Sequence, residues 1–88
     1  MQTVWFHGTN KAAADSIIKK GFKTGTWFSR HLEDALEFGG PVVFYVKVTF
    51  HPKKGKRIGW QVCSANRIRP SAIMKCREFS IFEYAKVS

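Results

Sequence analysis

The sequence predicts an α+β domain: a mostly antiparallel, curved sheet with two short helices confined to the N-terminal half. Three observations carry this. Helical periodicity ends before residue 40, strand patterning dominates from Val42 onward, and helices do not alternate with strands to the end as a doubly wound parallel sheet requires. At 88 residues the chain allows one domain, residues 1–88. Eight Phe, three Trp and two Tyr argue for a packed core despite a net charge of +9.

The elements follow in order. Residues 3–6 are apolar and β-prone, and His7-Gly8-Thr9-Asn10 ends that strand. Thr9 or Asn10 can cap a helix over residues 11–20, whose apolar Ala14, Ile17 and Ile18 fall on one face. Lys19 and Lys20 suit the negative end of that helix, and Gly21 is its stop, with Phe22 packing back. Residues 23–26 form a turn and Trp27-Phe28 a very short strand. Ser29 then caps a second helix over residues 30–38, with Leu32, Ala35 and Leu36 as its buried stripe and Gly39-Gly40-Pro41 as its end. Phe38 and His31 lie on another flank of this helix, where an aromatic either lines a cleft or covers the rim of the core. Residues 42–50 are the clearest strand: Phe44, Val46, Val48 and Phe50 face one way, Val43, Tyr45, Lys47 and Thr49 the other. A basic loop (51–56), a strand (60–64), a turn (67–71) and a last β-rich run (72–84) complete the chain.

Charge is segregated. Between Phe38 and Arg77 there is no acidic residue, while Lys47, Lys53, Lys54, Lys56, Arg57, Arg67, Arg69, Lys75 and Arg77 all fall in that stretch. Such a field favours an anionic partner, nucleic acid, a dinucleotide or an acidic protein, although the same charge also serves solubility. Lys53, Lys54, Lys56, Arg57, Arg67 and Arg69 are the candidate nucleic-acid contacts. No apolar run approaches the roughly 20 residues needed to span a bilayer, so no membrane partner is expected. No signal-peptide pattern opens the chain, and Cys63 and Cys76 make no disulfide framework, so an intracellular, cytoplasmic protein is expected.

Several chemistries lack their signatures. There is no Gly-rich dinucleotide fingerprint, no Walker-type phosphate loop and no Gly-x-Ser-x-Gly elbow. His7, His31, His51, Cys63 and Cys76 lack the close pairing of structural zinc ligands, so no metal is expected.

What the chain does carry is an ordered set. A strand ends in His7-Gly8-Thr9; a helix stops at Gly21-Phe22; Gly25-Thr26-Trp27-Phe28-Ser29 follows; a second helix holds Ala35 and Phe38; strands come last. This order resembles the compact ADP-ribosyltransferase fold of poly(ADP-ribose) polymerase catalytic domains and diphtheria-type toxins, most closely over residues 4–50. The resemblance implies NAD as co-substrate. His7 then matches the histidine that bonds a ribose hydroxyl of NAD, and Gly8 the residue whose backbone holds the nicotinamide amide. Thr9 falls where the family has Ser or Thr. Trp27 falls on the tyrosine of the family triad and keeps the aromatic wall without the phenol. Phe28 and Ser29 match the aromatic and small residue that follow, and Phe38 the second ring of the nicotinamide sandwich. Plain core packing is the alternative reading for Trp27, Phe28 and Phe38, and a turn histidine bonded to local backbone the alternative for His7.

The chain departs from the family at the catalytic glutamate, which sits on a late strand and stabilises positive charge developing on the ribose. In one register its position is Gly59, with Gln61 two residues on and facing the same side. In a second register Glu78 takes the position, in Glu78-Phe79-Ser80-Ile81-Phe82, and 59–73 becomes an insertion. A surface carboxylate paired with Arg77 or Lys75 is the alternative reading for Glu78. Three functions remain open: a minimal transferase of ADP-ribose to a nucleic-acid or protein acceptor, a catalytically degenerate module of the same fold that binds nucleic acid or an acidic protein, and a small basic inhibitor or adaptor.

Overall fold

A computed structural model describes residues 3–50 and 56–79, with the backbone alone for Phe38 and for 56–58. The elements are β1 (Thr3–Thr9), α1 (Lys11–Lys20), β2 (Trp27–Ser29), α2 (Leu32–Gly39), β3 (Val42–Val48), β4 (Lys56–Ile58), β5 (Gln61–Cys63), a short 3-10 turn (Pro70–Ala72) and β6 (Ile73–Glu78). Among the described residues the strands form one antiparallel sheet in the order β4-β5-β2-β1-β3-β6. The class is α+β, with both helices in the N-terminal half as the patterning predicts.

Alternation along the strands gives the sheet two apolar faces, and each takes a cover. Trp5, Phe28, Phe44, Val46 and Val62 pack on one face with Ala14 of α1, Phe22 and Ile68. Ala35 and Leu36 of α2 pack on the other with Val43 and Phe79, edged by Phe6 and Tyr45. The two-sided pattern of β3 follows: Val42, Phe44 and Val46 serve the α1 face while Val43 serves α2. A register shift at Tyr45/Val46 bends the β3–β6 pairing.

The helix ends carry local corrections. Asn10 is the cap of α1, its Oδ1 accepting the Ala13 N–H at 2.8 Å, and the helix stops at Gly21 as expected. Ile18, expected on the buried stripe, is 53% exposed, because contact with the sheet narrows to Ala14 and Ile17. Ser29 does not start α2. Its hydroxyl accepts the His31 N–H at 3.1 Å, which turns the chain, and the helix begins at Leu32. The segment read as a basic loop ends in a strand, β4, paired with β5 across the two-residue loop Gly59-Trp60. Gly59 has φ +58°, the conformation that the first position of a type II′ hairpin demands. Part of the basic loop (51–55) and the end of the last β-rich run (80–84) lie outside the described residues.

Candidate functional site

A cleft opens where β1 and β2 part. Their one register pair is Phe6 with Ser29, and toward the end of β1 the two strands are no longer paired. The gap is crossed by a side chain: His7 Nδ1 lies 2.8 Å from the Trp27 carbonyl oxygen, so Nδ1–H donates and Nε2 of the neutral ring is left as an acceptor. Burial holds the His7 pKa below the ordinary histidine value; the bond to Trp27 acts in the opposite direction and is the smaller effect. The ring is fixed by Phe22 and Phe28, at 5.4 and 5.6 Å between centroids.

The cleft holds about 170 Å³. Phe6, His7 and Gly8 of β1 line it on one side and Trp27, Phe28 and Ser29 of β2 on the other. Asp34, Ala35 and Gly39 of α2 and Gln61 of β5 complete it. Phe28 serves chiefly the core, 1% exposed and stacked among Phe22 and Phe50, and shows the cleft only its margin. Trp27 is 37% exposed, a wall open to solvent. His7 and Trp27 do not stack; alternation sends their side chains to opposite faces of the sheet, and they share the cleft because it passes between the strands.

Gly8 has a structural reason. A Cβ there would lie 1.8 Å from the Ala35 carbonyl oxygen, and a Cβ on Gly39 would lie 2.1 Å from the Gly8 carbonyl oxygen. The close approach that requires glycine at position 8 is to α2, which is thereby drawn down over the cleft.

Asp34 is a cleft residue that the sequence reading passed over. Ser29 Oγ donates to its Oδ2 at 3.4 Å, and the Trp60 indole N–H donates to the same oxygen. His31 packs edge-on against Trp60, with centroids 5.1 Å apart, so the β4–β5 loop is pinned to the start of α2. The buried stripe Leu32, Ala35 and Leu36 does not include Asp34, and its tie to Trp60 is set by strand pairing and leaves no local signal.

On the α1 side a second cavity of about 350 Å³ adjoins the first through His7. Thr9 lies in it rather than in the cleft, with Ser16 and Ile17 of α1 and the cations Lys20, Lys23 and Arg67.

The remaining expectations divide. Gln61 pairs with Ser29 and lines the cleft, while Gly59, the glutamate position of the first register, is a hairpin turn with open space around it. Glu78 does not line the cleft: it is exposed on the edge strand β6, two strands from β1, and pairs with Val42. Phe38 lies in α2 beside the cleft residue Gly39, and its side chain is outside the described residues. Lys53 and Lys54 are also outside them, Lys56 and Arg57 are placed by backbone in β4, and Arg67 and Arg69 are exposed. Cys63 and Cys76 are free thiols. Among the described residues, no three His, Cys, Asp or Glu side chains come together as a metal site, and no helix is long and apolar enough to cross a membrane. The chain matches no protein-family model and no curated protein.

Proposed function

We propose that the chain is an ADP-ribosyltransferase-like domain that binds NAD and transfers its ADP-ribose to a nucleic-acid or protein acceptor. The observation that carries this is the cleft at the parting of β1 and β2, which gathers His7, Gly8, Trp27, Ser29 and Gln61 from three strands. The residues fit the ligand. About 170 Å³ is less than the roughly 300 Å³ at which whole-ligand pockets begin, and suits one end of a dinucleotide, the nicotinamide and its ribose. Phe6 and Trp27 offer aromatic surface to a planar cationic ring. The bare Nε2 of His7 is an acceptor for a ribose hydroxyl, and its tautomer is held by the Trp27 carbonyl. Lys20, Lys23 and Arg67 in the adjoining cavity suit the anionic pyrophosphate. Bound NAD supplies a glycosidic bond whose leaving group is neutral nicotinamide. The basic second half of the chain favours a nucleic-acid acceptor, held through its phosphates.

A second reading, a binding module without transfer, is favoured by one observation: among the described residues, the late-strand side chain that reaches the cleft, Gln61, carries no charge. Incubation with labelled NAD and RNA, DNA or protein acceptors separates the two. Labelled product with nicotinamide release supports the transferase; heat on NAD titration without release supports the module. No heat with NAD removes the NAD pocket and the transferase with it, and titration with nucleic acid at two salt concentrations then tests the module, a flat salt response counting against phosphate contacts. His7→Ala is expected to lower NAD affinity at least tenfold, about 1.4 kcal/mol, while cooperative unfolding persists.

A further inference from the structure

We infer that Asp34 of α2 is the catalytic carboxylate of the cleft, supplying from a helix the negative charge that the late strand lacks. The inference rests on the NAD reading above. Among the described residues lining the cleft, Asp34 is the one anionic side chain: Ser29 and Gln61 are neutral, and burial favours the neutral form of His7. It is also held from two directions. Ser29 of β2 and Trp60 of the β4–β5 loop both donate to Oδ2, and no described residue donates to Oδ1. One oxygen is therefore spent on positioning, and the other is left for a ligand hydroxyl or a developing cation. An acidic residue in the first turn of a helix ordinarily serves the helix dipole. Here Glu33 sits beside it, exposed, for that purpose, whereas Asp34 is half-buried and bonded to two other elements.

The chemistry assigned to it balances. The bond between the ribose anomeric carbon and the nicotinamide nitrogen breaks, and its electron pair leaves with nicotinamide. Positive charge then spreads over the anomeric carbon and the ring oxygen, where a fixed carboxylate in a partly water-excluded cleft lowers its energy. A lone pair of an acceptor hydroxyl forms the new bond to that carbon, and the hydroxyl proton passes to Asp34 and on to water.

The test compares NAD with NADH, whose ring carries no charge. By calorimetry the full chain is expected to prefer NAD, and Asp34→Asn, which keeps acceptors for Ser29 and Trp60, is expected to narrow that preference about tenfold. Nicotinamide release is expected to fall about a hundredfold, and Asp34→Glu, which keeps the charge, to retain the preference. A folded Asp34→Asn chain with unchanged preference and release overturns the inference. So does a wild-type chain that binds NAD and NADH equally, a result that leaves the NAD reading standing and needs no variant to fold. Failure of the wild-type chain to bind either dinucleotide overturns the NAD reading, and the inference with it.

Discussion

The two nitrogens of His7 differ: Nδ1–H ties β1 to the Trp27 carbonyl, and Nε2 is left as an acceptor. The packing that fixes the ring also makes it a source of pH dependence. Burial lowers its pKa in the folded chain, whereas in the unfolded chain it titrates near 6.5. The unfolded state therefore binds more protons in the window below about 6.5, and stability rises with pH across it. Thermal unfolding midpoints are expected to be level above about pH 7.5 and to fall as the pH drops through 6.5, until the folded value is passed. In His7→Phe this step should vanish; parallel curves for the two chains would remove His7 as its origin. At this scale the ordered motifs point to His7, Gly8, Trp27 and Ser29, and the family register to Gln61, and all five line the cleft. The sequence did not disclose Asp34, whose partner Trp60 lies 26 residues away and is set by the pairing of β5 with β2. It also assigned Gly8 to ligand approach, where the demand comes from the Ala35 carbonyl.

Elements with local signals were the most legible. α1 runs over the residues its periodicity marks, because the Asn10 cap and the Gly21 stop are both local. α2 starts two residues later than its patterning suggests, since the Ser29 hydroxyl is used on the His31 amide before the helix begins. β4 went unread because Lys56 and Arg57 hide a strand that exists through its pairing with β5. α2 sits on β1 in backbone-to-backbone contact at Gly8 and Gly39. Gly8→Ala forces a methyl into backbone, which cannot yield as a side-chain tip does. The expected cost is about 3 kcal/mol, an overpacking penalty at the upper end of the usual range. Denaturant midpoints at unchanged m-value measure it, and a loss under about 1 kcal/mol would show that α2 shifts freely.

Over the whole molecule, patterning along the chain revealed the class and the segregation of charge, but not the strand order. The placement of β1 between β2 and β3 depends on pairings across the chain, which no local pattern encodes. The basic residues predict salt-dependent binding. Changing Lys53, Lys54, Lys56 and Arg57 together to Gln is expected to make the slope of log affinity on log salt shallower by about 3 for single-stranded nucleic acid, at about 0.7 per lost phosphate contact. NAD affinity should hardly change, since the dinucleotide is assigned to the other cations, Lys20, Lys23 and Arg67. Fluorescence anisotropy at several salt concentrations measures the slope; an unaltered slope would mark the quartet as solvated surface.

The parting of β1 and β2 divides the sheet into two leaves, β4-β5-β2 and β1-β3-β6, joined along a seam by the Phe6–Ser29 register pair, the His7 tether and the Arg30 guanidinium donating to the Val4 carbonyl at 2.8 Å. A flat guest lodged in that seam would bridge both leaves at once, so that binding and stiffening are expected to be one event, read as slower amide exchange in β1 and β2 on addition of NAD.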